Sequence, residues 1–263
     1  MQPFTFHPGP RLLSGEGCAA ALAEHLPPGP CLFVTDRDVA SFGLTDACRG
    51  ALEAGGREII LFDDVETDPS KETLLAAVEA YTSARLKNPI SDLYAREALA
   101  LLSANLLTAC EKPTDIAARS AMLLGAHLAG VAFANAPVAG VHALAYPLGG
   151  IHHLPHGLSN ALMLRHVLQH NAEAARDDYA ELAIILAPEC AGQGSQARCA
   201  MLIERLDALV VASGLAPRLR DHGISEGDIP LLASEAMKQQ RLLINNPCPI
   251  EESDARRLYE AAW

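Results

Sequence analysis

The hydrophobic pattern changes character about a quarter of the way along the chain. Before residue 69, short continuous apolar runs alternate with helical stretches. Cys31-Leu-Phe-Val-Thr35 is one such run, bracketed by Pro30 and Asp36, and Arg57-Glu-Ile-Ile-Leu-Phe62 is another, after Gly55-Gly56. Gly17–Leu26 and Thr45–Ala54 carry helical spacing. Strand, helix, strand with short connections is the pattern of a parallel α/β unit. After Pro69 the strand pattern stops. Helices are predicted over Ser70–Leu86, Ile90–Cys110, Asp115–Asn135, Val138–Leu148, Pro155–His170, Ala172–Leu186, Gln196–Ser213, Ser225–Gln240 and Glu251–Ala262. The expected fold is therefore an α/β N-terminal portion holding a partial parallel sheet, residues 1–69, followed by an all-α helical-bundle domain, residues 70–263.

Residues 121–151 contain no Asp, Glu, Lys or Arg, a length that must be tested as a membrane span. Its Ala and Gly content, His127, His142 and central Pro137 argue instead for two buried helices joined by a turn at Asn135-Ala136-Pro137, with small residues allowing close packing. Pro147 and Gly149-Gly150 are expected to end the second helix and fold the next one back.

Composition narrows the function classes. Lys plus Arg number 20 and Asp plus Glu 32, a net charge of −12. An acidic chain without a basic run has little to offer a phosphate backbone or an anionic bilayer, so neither nucleic acid nor membrane is an expected partner. The seven cysteines are widely spaced with no CxxC, and the opening Met-Gln-Pro-Phe-Thr-Phe lacks a basic segment followed by an apolar one. A cytoplasmic location with reduced thiols is expected.

Five of the ten histidines lie between His142 and His166. His142 sits within an apolar helix and His156 follows Pro155 at the start of the next. Two imidazoles converging across the intervening turn would suit Zn(II) or Fe(II). A lone histidine on an Ala-rich helix is more often a satisfied core residue. His152 and His153 are expected on the exposed turn, His166 and His170 on a helix surface. Asp36, at the carboxyl end of the first strand, either bonds a ribose hydroxyl or caps the next helix.

The segment His142-xxx-Tyr146-Pro-Leu-Gly-Gly, followed by Pro155-His156-Gly157-xx-Asn160-Ala161, resembles the metal-binding signature of the iron-containing alcohol dehydrogenase family. Ala132-Phe-Ala-Asn135-Ala, Val78-Glu-Ala-Tyr-Thr-Ser83, Val34-Thr-Asp36, Thr67-Asp-Pro69 and the ending Asn246-Pro-x-Pro249 to Tyr259-Glu-Ala-Ala-Trp263 match as well. The His-Gly-x-x-Asn-Ala form resembles the alcohol dehydrogenase branch more than the related maleylacetate reductases. The resemblance implies a nucleotide-binding α/β domain, a helical domain, and a divalent metal in the cleft between them. It implies hydride transfer between a small-molecule alcohol or aldehyde and NAD(P), with Fe2+ or Zn2+ as Lewis acid. By the same resemblance His142 and His156 match metal ligands. Tyr146 matches a position facing metal and nicotinamide, and Asp36 and Asp68 match positions near the cofactor. Arg165 stands where relatives usually carry Pro.

Two departures bear on activity. Relatives carry a Gly-Gly-Gly-Ser pyrophosphate loop after a further strand, and no such loop occurs here. The chain runs from Pro69 directly into the Val78-Glu-Ala-Tyr helix, as though roughly a hundred residues, one small domain, were missing. Relatives also place an Asp and a His, four residues apart, on the metal ahead of that motif, where this chain has Glu72 and Ala76. Glu72, His142 and His156 together would make a two-His, one-carboxylate site. Alternatively, Glu72 belongs to the preceding segment and carries no ligand role. The second reading of the chain is a catalytically inactive truncated remnant with at most a partial metal site. A shortened sheet also leaves an unpaired edge and uncovered apolar side chains, so homodimerisation or other self-association is expected.

Overall fold

A computed structural model describes residues 6–8, 17–35, 37–62, 72–82 and 85–263. The chain forms two compact units, one of residues 9–68 and one of residues 1–8 with 69–263.

In the smaller unit, β1 (Cys31–Val34) and β2 (Ile59–Phe62) pair in parallel, with Cys31 opposite Ile59 and Val34 opposite Phe62. β1 contains Phe33 and Val34 and β2 contains Ile59, Ile60 and Phe62, and the runs begin after the breakers Pro30 and Gly55-Gly56, which favours extended chain over helix. A 3-10 turn (Cys18–Ala21) leads into α1 (Leu22–His25), and α2 (Arg37–Ser41) and α3 (Asp46–Ala54) lie between the strands. Gly56 makes the turn into β2 with φ of 70°, a conformation that only glycine adopts without strain. The Arg57 guanidinium then donates to the carbonyls of Ala23 at 2.9 Å, Leu26 at 2.8 Å, and Pro27. A cation thereby satisfies carbonyls at the C-terminal end of α1, where the helix dipole favours positive charge.

The larger unit is entirely helical among its described residues: α4 (Glu72–Thr82), α5 (Pro89–Glu111), α6 (Ile116–Asn135), α7 (Gly140–His152), α8 (His156–Asn171), α9 (Arg176–Leu186), α10 (Ser195–Ala212), α11 (Ile229–Ala236), α12 (Gln240–Leu243) and α13 (Glu252–Ala262). Helices α4, α5 and α6 pack on one another, α7 lies against α8, α9 against α10, and α13 against α11 and α8. Helix α5 starts at a capping box: Asn88 accepts from the N–H of Ile90 and Ser91, and Ser91 accepts from Asn88 in return, closing donors that a helix start leaves open. Asp115 caps α6 by accepting from Ala118 at 3.0 Å. Helix α6 is long and apolar enough to cross a membrane by composition, yet it packs against α4 and α5. A Cβ at Gly125 would lie 2.7 Å from Leu102 Cγ, so the small residue is what lets α5 and α6 approach. The segment Phe6–Pro8 is tied to the same helices. His7 exchanges two hydrogen bonds with the Asn135 side chain, at 2.6 and 2.9 Å, and the Phe6 ring stacks on Tyr94 with centroids 5.6 Å apart.

The fold class matches the expectation, an α/β start with a small parallel sheet followed by a helical bundle. Two boundaries differ from the sequence pattern. Helix α7 does not stop at Pro147 or at Gly149-Gly150 but continues to His152. Its residues Val141, Ala143, Leu144, Ala145 and Leu148 are sealed in the core, and that burial outweighs the helix-breaking propensity of one proline and two glycines. The turn into α8 is made by His153, at φ 55°. The His153 N–H returns to Gly149 O and the Leu154 N–H to Leu148 O, a closing pair that satisfies the last carbonyls of the helix. His152 is consequently on the helix and half-buried, while His153 is exposed. The expected Ser225–Gln240 helix is divided into a 3-10 turn (Glu226–Asp228), α11 and α12. No disulfide forms among the described residues.

Candidate metal centre

Helix α7 carries His142 and Tyr146, and its position is set by side chains distant in sequence. The first turn of any helix has N–H groups with no partner inside the helix. Ala139 stands at the N-cap position and offers no side-chain acceptor. Two of these N–H groups are met from outside the helix. Gly140 N–H donates to Asn246 Oδ1 at 3.2 Å, and Val141 N–H to Glu79 Oε1 at 2.8 Å. The other Glu79 oxygen, Oε2, meets Nδ1 of His142.

Both grips are rigid. Asn246 is locked by a two-way exchange with Asn171, at 2.7 and 2.9 Å, and by donation to Cys248 O at 2.6 Å. Neighbouring Asn245 donates to Val138 O at 3.2 Å. This gives the Asn246-Pro-x-Pro249 segment a physical role: it anchors the entry to α7. Glu79 lies on α4 between buried Val78 and Ala80 and is itself 2% exposed. Gly140 is required by the closeness of these contacts, because a Cβ there would lie 2.5 Å from Asn246 Oδ1 and 2.8 Å from Ile250 Cδ1. From the other side, the Tyr259 hydroxyl on α13 donates to Leu144 O at 2.6 Å.

On this fixed helix His142 and Tyr146 are four residues apart and share one face. His156 opens α8 directly after Pro155, whose backbone angles suit the residue preceding a helix. The His142 and His156 ring centroids are 5.5 Å apart at 67°. The Tyr146 ring stacks on His156, also at 5.5 Å, with the planes 24° apart. Arg241, on α12, donates to the Tyr146 hydroxyl at 3.4 Å.

The two imidazoles suit a divalent cation. Rings bound through nitrogen to one tetrahedral ion at about 2.1 Å have centroids about 5 Å apart, close to the separation found. A carboxylate on the remote nitrogen of a ligating histidine is a usual companion of such sites. Among the described residues no three His, Cys, Asp or Glu side chains group closely enough to hold an ion. Glu72, the expected third donor, is the first residue of α4, and its side chain lies outside the described residues. Asp36 and Asp68 also lie outside them. Ala76, aligned with the lost imidazole, is buried in the core.

Glu79 is the site residue that spacing rules do not reveal. It is part of the Val78-Glu-Ala-Tyr motif, and the residues from Ala76 to Thr82 are all buried. A lone carboxylate inside such a run is the signal that could have marked it.

Comparison with known proteins bears on the whole chain. A family model described as Fe-containing alcohol dehydrogenase family, C-terminal, matches residues 70–263, and one described as iron-containing alcohol dehydrogenase matches residues 9–87. Long-chain-alcohol dehydrogenase 1 of Geobacillus thermodenitrificans (strain NG80-2) is 38% identical over 192 residues, which cover 73% of this chain and 48% of that protein. The 1,3-propanediol dehydrogenase of Klebsiella pneumoniae is 33% identical over 192 residues, 73% of this chain and 49% of its own. The chain thus spans about half the length of the curated relatives it matches. Among solved structures, an alcohol dehydrogenase from Oenococcus oeni superposes with a TM-score of 0.90 at 18% identity, covering 99% of this chain and 100% of that one. That likeness is one of fold.

Proposed function

Because the chain belongs to the iron-containing alcohol dehydrogenase family, we propose that it is an oxidoreductase of small alcohols and aldehydes, with a metal centre on His142 and His156 and NAD(P) as hydride partner. The observation that carries this reading is the convergence of the two imidazoles, one of them braced by a buried carboxylate. The names of the relatives, a long-chain-alcohol and a 1,3-propanediol dehydrogenase, support the substrate class.

His142 and His156 hold the cation, Fe2+ or Zn2+, and Glu72 is the proposed third donor. Such an ion, when bound, supplies Lewis acidity toward a hydroxyl or carbonyl oxygen. Tyr146 stacks on the His156 ring, and its hydroxyl, which accepts from Arg241, is the proposed proton relay. Asp36 and Asp68 are proposed contacts to the cofactor. Residues 1–69 are assigned as the truncated nucleotide-binding portion and residues 70–263 as the metal-binding domain. A cytoplasmic location accords with the thiol-rich composition.

One observation favours a second reading. The sequence has no Gly-Gly-Gly-Ser loop, so the backbone N–H cradle that holds a pyrophosphate at a helix start is missing. On that reading the chain is a catalytically inactive remnant with at most a partial metal site. The two are separated by mixing the chain, loaded anaerobically with Fe(II) or Zn(II), with NADH and NADPH. The oxidoreductase reading expects enhanced nicotinamide fluorescence and alcohol-dependent reduction of NAD(P) that His142→Ala abolishes. Absence of both favours the remnant.

A further inference from the structure

We propose that Glu79 is a positioning residue that holds His142 as its Nδ1–H tautomer, so that Nε2 keeps the lone pair a metal requires. The proposal rests on the metal reading above only for its consequence, and its central statement is about the free protein.

A carboxylate at 2% exposure has surrendered most of its hydration, and an apolar side chain would fill the space more cheaply. Glu79 recovers that cost through two contacts, one on each oxygen. Oε1 accepts from the Val141 N–H at 2.8 Å, and Oε2 faces His142 Nδ1. A carboxylate has no proton to offer a neutral imidazole, so the ring must donate. With Glu79 ionised and the ring neutral, Nδ1 carries the hydrogen and Nε2 keeps the lone pair.

The same geometry fixes the plane of the ring. Val141 and His142 are consecutive residues of the first turn of α7, and one carboxylate grips the backbone of the first and the ring of the second. Rotation of the ring would break the second contact while the first holds the carboxylate still. Asn246 grips Gly140 just ahead of them. Helix capping and ring orientation are thus performed by the same side chain, delivered by another helix.

The amide variant provides a sharp test, because Glu79→Gln changes one oxygen to a donor. If its oxygen stays on the Val141 N–H, its NH2 faces His142 Nδ1 and asks for a lone pair there. The ring then moves to the Nε2–H tautomer. Long-range proton–nitrogen NMR on the full 15N-labelled chain, without metal, reads this directly. The expected result is Nδ1–H for His142 in the wild type and a shift toward Nε2–H in Glu79→Gln. Titration with Zn(II) is expected to show affinity lowered by about 10–100-fold in the variant. An Nε2–H tautomer in the wild type overturns the proposal, and needs no variant to fold. A Gln variant with unchanged tautomer and unchanged Zn(II) affinity overturns it too. Should the wild type show Nδ1–H and the variant lose it while neither takes up Zn(II), the positioning role stands and the metal reading falls.

Discussion

Glu79 on α4 and His142 on α7 meet in the core of the helical unit, 63 residues apart in sequence, at 2% and 5% exposure. Removing only the carboxylate strands two buried donors, the Val141 N–H and the ring of His142. Each buried polar group left unmatched costs about 1–3 kcal/mol. Glu79→Leu, close in volume, is therefore expected to lower stability by about 2 kcal/mol or more. Urea unfolding followed by circular dichroism checks it, and an unchanged midpoint would count against the contact.

Two glycines of α7 are expected to respond in opposite directions. Gly140→Ala drives a methyl group into Asn246 and Ile250 and should cost about 1–3 kcal/mol. It should also weaken Zn(II) uptake, since His142 lies two residues on. Gly150 has open space around its Cβ position and sits within the helix. Gly150→Ala should leave stability equal or raise it by about 0.4–1 kcal/mol. Thermal melts of the pair read out both signs.

Buried phenols make the fold sensitive to alkali. Burial first, and then hydrogen bonding to Glu181, raise Tyr81 from 10.0 to about 12. Burial likewise pushes Tyr179 and Tyr259 far above the ordinary phenol range. The folded state keeps these protons to higher pH than the unfolded chain does. Their contribution to stability is thus full below about pH 10 and is lost as pH rises through the folded values. Urea midpoints measured across that range should fall. Tyrosinate absorbance should show a late group of phenols ionising only as the fold is lost.

The sheet of the smaller unit presents an apolar face. Leu32 pairs with Ile60 and Val34 with Phe62 in register, and all four are exposed, at 67%, 54%, 57% and 49%. Alternation puts them on one side of the sheet. Self-association that rises with concentration is expected in light scattering. Ile60→Lys, which places a charge at the centre of that face, should reduce it. A monodisperse monomer in the wild type would contradict this.

Local chemistry made most of the elements legible in the sequence. Apolar runs that begin after Pro30 and after Gly55-Gly56 became β1 and β2, and the helix expected from Asp115 is α6, with Asp115 as its cap. Residue spacing also picked out His142 and His156, whose rings lie together. What stayed hidden depends on partners remote in sequence. Pro147 and Gly149-Gly150 read as a stop, yet tertiary burial carries α7 past them. The N-cap that α7 lacks locally arrives from Glu79 and Asn246, and no pattern near residue 140 announces either. Glu79 was visible as part of a motif but not as a partner, because the residue it orients lies three helices later.

The most direct test of the account is calorimetric titration of the full chain with Zn(II), and anaerobically with Fe(II), in wild type, His142→Ala and His156→Ala. The account predicts saturable uptake of one ion by the wild type and a loss of affinity of at least about tenfold in each variant, since each removes a ligand. Wild-type affinity retained in both variants would place the ion elsewhere and contradict the metal centre.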